Sequence, residues 1–202
     1  MIIQILKLSL KQQNKTMIQS KADLKNYLKA DGKVNGIRHE WLKMLTYNDS
    51  YAVHRHLRLL RHLEYHINCP SWWKLPFKLY YQLCYRRSQI KTNMVIFPNT
   101  MGPGLLLMHP GFRRIGRMVH AGNNCTILPM VLFGKKRPTD KDATIQIGNN
   151  CYIGTGATIL GPLTIGNNVT IAAGAVVTND VPDNAVVGGV PAKILKFKNI
   201  VT

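Results

Sequence analysis

Acidic residues are scarce in this chain. Nine Asp and Glu stand against 27 Lys and Arg in 202 residues, a formal net charge of +18 at pH 7. Such a field attracts a polyanion, an anionic membrane surface or a phosphorylated cofactor. Most of the basic residues lie before residue 145, so the front supplies the field. Missing too is the run of ~18 apolar residues that a membrane-spanning helix needs. The four cysteines, Cys69, Cys84, Cys125 and Cys151, form no CxxC pair and no disulfide-rich spacing. They read as reduced, buried thiols of a cytosolic protein. The opening segment MIIQILKLSLKQQNKTMIQSK has an apolar patch but no small-residue cleavage site, which argues against a signal peptide. Met17 reads as a natural start, with residues 1–16 a disordered extension. No nucleic-acid-binding motif accompanies the charge, so nucleic acid is not expected as a partner.

What is present falls into two halves. From Ser20 to about Arg87 the chain reads as helices. SKADLKNYLKAD opens on a Ser/Asp cap and sets Leu24 and Tyr27–Leu28 on one face. YAVHRHLRLLRHLEYHI carries Val53, Leu57, Leu60, Leu63 and Ile67 in a stripe, with Arg and His expected on the remaining surface, and Asn68-Cys-Pro ends it. His62 and His66 lie one turn apart there, a spacing that could ligate a metal but more simply marks a solvated face. LPFKLYYQLCYRR, opened by Pro76, predicts a further helix. Together with Trp72 and Trp73 it mixes aromatics and basic residues. That mixture suits a helix at a membrane interface, or one whose aromatics pack over the end of the following domain; the second is expected here.

From residue 147 the rule changes to a period of six. Ile147, Ile153, Ile159, Ile165, Ile171 and Val177 recur at that spacing, and four residues after each stand Cys151, Ala157, Leu163, Val169, Ala175 and Val181. Six residues do not make whole helical turns, and the glycines from Gly148 to Gly174 weaken any helix. Short strands joined by tight turns satisfy the pattern, as in a parallel β-helix. Ile115, Ala121, Ile127 and Phe133 keep the register upstream, with Val119, Cys125 and Val131 filling the second series. One further step back lands on His109, in LMHPGFRRIG. Between Phe133 and Ile147 the spacing is fourteen rather than twelve, which predicts a two-residue excess thrown out as a loop, GKKRPTDKDATIQ.

The run ATIQIGNNCYIGTGATILGPLTIGNNVTIAAGAVVTNDVPDNAVVGGVPAKIL resembles the hexapeptide-repeat acyltransferases, and most closely their serine O-acetyltransferase branch. VVGGVPAK is similar to the terminal signature of that family, and HPGFRRIG occupies the place of the segment with the branch's catalytic histidine. The front resembles the helical domain of serine-acetyltransferase-like proteins of bacterial capsule synthesis. The resemblance implies a mainly β fold, a left-handed parallel β-helix over residues 93–192 behind a small α-helical domain over 17–92, with a tail at 193–202. It implies a homotrimer that binds acetyl-CoA between neighbours and needs no metal. It also implies roles for particular residues: Thr155, Gly156 and Ala173 line the cofactor groove, Lys193 meets a phosphate, and Asp142 helps to bind the acceptor.

Three departures bear on the acceptor. Asp142-Ala143-Thr144-Ile145 stands where the branch has Asp-Arg-His-Pro. Val95 or Met94 stands where the aspartate partner of the histidine falls, and Met108 precedes the histidine in place of an acid. These tilt the expectation from free serine toward a saccharide or another non-amino-acid hydroxyl.

Transfer of an acyl group to a hydroxyl needs a base, because a protonated alcohol is a poor nucleophile, and a neutral imidazole can supply it. His109 is the expected general base in a direct, single-step transfer. The plain alternative is that His109 merely fills an inward slot of the first coil, although an aliphatic side chain would fill it at lower cost. His120, the other histidine of the repeat half, is expected at the surface. Some hexapeptide-repeat proteins are zinc carbonic anhydrases, but three histidine ligands are needed and residues 90–202 hold two. Lys135, Lys136 and Arg137 could face an anionic acceptor or simply be solvated. The expected function is therefore an acetyl-CoA-dependent O-acetyltransferase. Its expected location is the cytoplasm, including the inner surface of the membrane. A non-catalytic trimeric scaffold or a polyanion-binding protein is the alternative.

Overall fold

The computed structural model describes residues 17–36, 49–140 and 143–199, and the expectations for residues 1–16 and for Asp142 lie outside them. Among the described residues three helices come first: α1 (Lys21–Val34), α2 (Asp49–Asn68) and α3 (Leu75–Thr92), the last preceded by a 3-10 turn at Trp72–Lys74. The expected cap holds. Ser20 Oγ accepts from the Asp23 amide at 3.0 Å, and Asp23 in turn accepts from the Gln19 amide at 3.1 Å, so two otherwise orphaned donors are satisfied. Pro76 sits in the first turn of α3, and Asn93 ends that helix in a left-handed conformation.

Beyond Asn93 the chain winds through parallel strands on three faces. Strands Met94–Ile96, Arg113–Ile115, Leu132–Lys135, Thr158–Gly161 and Val176–Val177 stack on the first face, and Val119–Ala121, Ile145–Ile147 and Leu163–Ile165 on the second. Leu106–Leu107, Thr126–Ile127, Tyr152–Ile153, Thr170–Ile171 and Ala185–Gly188 form the third. The expected tail starts as a strand, Lys193–Phe197, which turns back antiparallel on Ala185–Gly188. Every member of the two six-residue series lies buried inside the coils. Two corner positions show why the turns are built from Gly and Asn. A Cβ on Gly148 would lie 2.6 Å from the Gly166 carbonyl oxygen of the next coil. Asn124, Asn150, Asn168 and Asn184 take positive φ, which Asn tolerates, and Asn168 Nδ2 donates to Asn184 Oδ1 at 2.8 Å along that corner.

The loop is longer than its spacing predicts. Thr126 pairs with Tyr152, twenty-six residues on, whereas Tyr152 pairs with Thr170 after a regular eighteen. The insertion is thus eight residues in a single hexad rather than two in a pair of them. Phe133 and Ile147 lie on different faces, so the interval between them is one step and not two.

The end of the β-helix is closed by polar groups, contrary to the expectation that α2 carries its Arg and His on the surface. Arg61, His56, His54 and Glu64 are buried. Arg61 donates to the carbonyls of Met101 and Gly102 at 2.8 Å each, to Asp31 at 2.8 Å and to Glu64 at 3.0 Å. Asp31 accepts from the amides of Gly104 and Leu105, and Glu64 from that of Asn99. The first coil has no preceding strand to pair with, so its free amides and carbonyls must find other partners. This triad supplies them. Burial works against the charge of Arg61, but the two carboxylates outweigh it and hold its pKa above the ordinary value. The aromatics of α3 divide: Tyr85 is buried and Tyr81 stacks on His62 and His66, whereas Trp72 and Trp73 point outward. The expectation that they cap the β-helix holds only for the inner face of that helix.

Candidate active site

His109 is not an inward filler. Its side chain is exposed and its φ is 59°, so the hexad register breaks where it reaches the first coil. The buried positions there are Leu105 and Leu107, and Leu107 pairs with Ile127 twenty residues on rather than eighteen.

The turn carrying His109 is held from below by Arg113, which is wholly buried. Arg113 Nη1 donates to the His109 carbonyl at 2.8 Å, Nη2 to the Met108 carbonyl, and Nε to the carbonyls of Ile127 and Leu128 at 3.2 and 3.1 Å. The sulfur of Met94 lies 3.1 Å from Nη1. Among the described residues, no carboxylate hydrogen-bonds this guanidinium, and burial lowers its pKa to about 10. Gly111 adds a bond from its amide to the Thr92 carbonyl at the end of α3, at 3.1 Å. Behind that helix end, His56 Nδ1 lies 3.0 Å from Ser88 Oγ. Burial, with the charge of Arg113 adding, brings the His56 pKa down to about 4.

His109 opens onto a cavity of about 450 Å³ between the helices and the first coil. The C-terminal end of α1 supplies Val34, Asn35 and Gly36, the start of α2 supplies Asp49, Ser50 and Val53, and the coil supplies Leu106, Leu107 and Met108. Asp49 is a candidate that sequence reasoning missed. It lies sixty residues from His109, and nothing in the spacing joins the two; an acid at a helix start is otherwise an ordinary terminus feature.

Three of the expected cofactor residues share one corner of the β-helix. Met130 N donates to the Phe112 carbonyl at 2.7 Å, Gly156 N to that of Pro129 at 3.1 Å, and Gly174 N to that of Thr155 at 2.8 Å. This ladder runs from the His109 segment past Thr155 and Gly156 to Ala173. With coils about 4.8 Å apart, it forms a continuous edge that begins at Phe112, three residues after His109. Thr155 and Ala173 are exposed on it, and Gly156 takes φ 71°. Lys193 is exposed at the start of the last strand, next to Ala192, whose amide donates to Val176 at 2.8 Å in the final coil. The three-residue departure ends inward, with Ala143 and Ile145 buried in the coil. His120 is half-buried on the second face, beside Gln146, and burial lowers its pKa. Among the described residues, no group of three His, Cys, Asp or Glu side chains could hold a metal ion.

Residues 144–179 match the family described as bacterial transferase hexapeptide (six repeats). The serine acetyltransferase of Bacillus subtilis is 31% identical over 160 residues, covering 75% of this chain and 66% of that protein. A Neisseria gonorrhoeae serine acetyltransferase solved in complex with serine is 29% identical, with a TM-score of 0.56 over 94% of this chain and 71% of that one. A Brucella abortus serine acetyltransferase solved with coenzyme A has a TM-score of 0.64 over 94% of this chain and 74% of that one; at 24% identity it speaks for the fold. The chain spans about half the length of the curated relatives it matches, 45% in the case of the Synechococcus elongatus serine acetyltransferase.

These likenesses and the three-faced coil define the class: a hexapeptide-repeat protein of the acyltransferase group, a left-handed parallel β-helix behind a small helical region. Within that class, the relatives it matches are serine acetyltransferases.

Proposed function

We propose that this chain is an acetyl-CoA-dependent O-acetyltransferase in which His109 is the general base. The observation that carries the reading is the position of His109, exposed on the lining of a cavity and three residues before Phe112, where the ladder of the corner bearing Thr155, Gly156 and Ala173 begins. The donor's pantetheine arm runs along that corner, where exposed backbone and small side chains admit it, and Lys193 meets a phosphate at the far end. The acceptor hydroxyl enters from the cavity. His109 takes the hydroxyl proton as the oxygen attacks the thioester carbonyl. The C–S bond then breaks, and the leaving thiolate recovers the proton from the imidazolium. Asp49 holds the acceptor within the cavity, and Asp142 stands as the second acceptor-binding acid.

The acceptor is serine or a saccharide hydroxyl. The side-chain cations that would hold an amino-acid carboxylate are absent at Ala143 and Thr144, which favours the saccharide. The working unit is a homotrimer, in which a neighbouring chain closes the open side of the cofactor edge.

Thiol release from acetyl-CoA, measured with serine, simple sugars and sugar nucleotides in turn, tests the reading. Stimulation by at least one hydroxyl acceptor is expected. No stimulation by any of them, together with no calorimetric binding of coenzyme A, returns the protein to a non-catalytic trimeric scaffold.

A further inference from the structure

Only one side of helix α3 faces the protein. Tyr85, Ser88 and Thr92 turn inward. On the other side Trp72, Leu75, Leu79, Leu83 and Ile90 recur three, four and seven residues apart, and are 88, 55, 53, 62 and 80% exposed. A helix face of this kind normally lies against something, and the length of this stripe along α3, about 23 Å from Leu75 to Ile90, is far beyond a scatter of single exposed residues. Tyr80, 60% exposed, flanks it.

The charge around the stripe is of one sign. Arg86, Arg87 and Lys91 stand exposed along the same helix, and no Asp or Glu occurs between Glu64 and Asp140. That pattern decides between occupants. A second copy meeting this face with its own would bring arginine onto arginine with no local acid to compensate. A bilayer containing anionic phospholipid accepts the whole set at once: leucines into the acyl boundary, Trp72 and Tyr80 at headgroup depth, and the cations onto the phosphates.

We infer that the Trp72–Ile90 stripe is a peripheral docking surface for an anionic phospholipid bilayer, independent of the transfer chemistry at His109. No helix among the described residues is long and apolar enough to cross a membrane, so the contact lies at the surface.

The test uses the full chain and sedimentation with vesicles of phosphatidylcholine alone or of phosphatidylcholine with phosphatidylglycerol. Binding to the phosphatidylglycerol vesicles is expected, weak or nil binding to phosphatidylcholine, and a decline as salt rises. The double variant Leu79→Asp/Leu83→Asp should lose about tenfold or more in partitioning. Because both side chains are exposed, its melting temperature and its mass by light scattering should match the wild type. Three results overturn the inference. The wild type does not bind phosphatidylglycerol vesicles at low salt; the double variant binds as well as the wild type, leaving bare charge as the cause; or the double variant changes oligomeric mass, making the stripe a contact between copies.

Discussion

Arg113 Nη1 donates to the main-chain oxygen of His109 at 2.8 Å, so the buried guanidinium grips the backbone of the turn from which the imidazole projects. Among the described residues no carboxylate reaches this cation by a hydrogen bond, and carbonyl dipoles solvate it instead. Arg113 thus anchors the backbone of that turn. Arg113→Met should leave several buried carbonyls unpaired and lower stability by about 3 kcal/mol, within the range for buried charged hydrogen bonds. It should also lower kcat by about a hundredfold, as expected when a base is misplaced by about 1 Å, with less effect on KM. Arg113→Lys restores the charge but not the fan of donors and should recover only part of either loss. Denaturant titration and steady-state kinetics read the two effects separately.

The second prediction concerns the imidazole itself. Because His109 has a φ of 59°, replacement by alanine would mix loss of the base with backbone strain. His109→Asn is the cleaner variant, since Asn accepts that conformation. Thiol release should fall by about 10²–10⁴-fold. Coenzyme A affinity by calorimetry and the melting temperature should stay near the wild-type values. Activity retained in full would remove His109 as the base while leaving the fold untouched.

Asp49 offers a way to separate the two substrates. It lines the cavity and lies off the corner ladder, so Asp49→Asn should raise the acceptor KM and leave that for acetyl-CoA unchanged. An effect confined to acetyl-CoA would place Asp49 on the wrong substrate.

How far the sequence could be read depended on how local each constraint is. The coil positions are fixed by sterics that repeat every six residues, so Ile147 through Val177 were placed from spacing alone, and so were the Ser20 cap and the break after Asn68. Arg61 was not. An arginine in an amphipathic helix reads as a solvated residue, and its partners Asp31 and Met101 lie thirty and forty residues away. Only the meeting of helix and first coil makes it a core residue. Separation in sequence likewise hid that Asp49 and His109 line one cavity. The loop shows in the spacing but its length does not, because a linear count of hexads does not reveal which face each strand joins.

The Arg61 cluster carries its own prediction. Arg61→Met would strand Asp31 and Glu64 as buried acids and free the Met101 and Gly102 carbonyls, so a loss of about 3–5 kcal/mol is expected. Arg58→Met, one turn away on the same helix and exposed, should cost at most about 0.5 kcal/mol. Urea titration of both variants against the wild type measures the contrast. Equal small losses would mean that the cluster does not hold the helices to the coil.

Acid should destabilise the same junction through His56. Its pKa falls from 6.5 to about 4 on folding because burial, aided by Arg113, disfavours the imidazolium. Between these values the unfolded chain binds the proton and the folded chain does not, so stability falls as pH drops from about 6.5 toward 4 and levels off below. At full extent this group contributes about 3 kcal/mol to the loss. His56→Gln removes the titration while keeping a polar group beside Ser88. Unfolding free energies measured by urea at several pH values should therefore show a shallower acid decline in the variant. An unchanged slope would assign the decline to other groups and place His56 in contact with water.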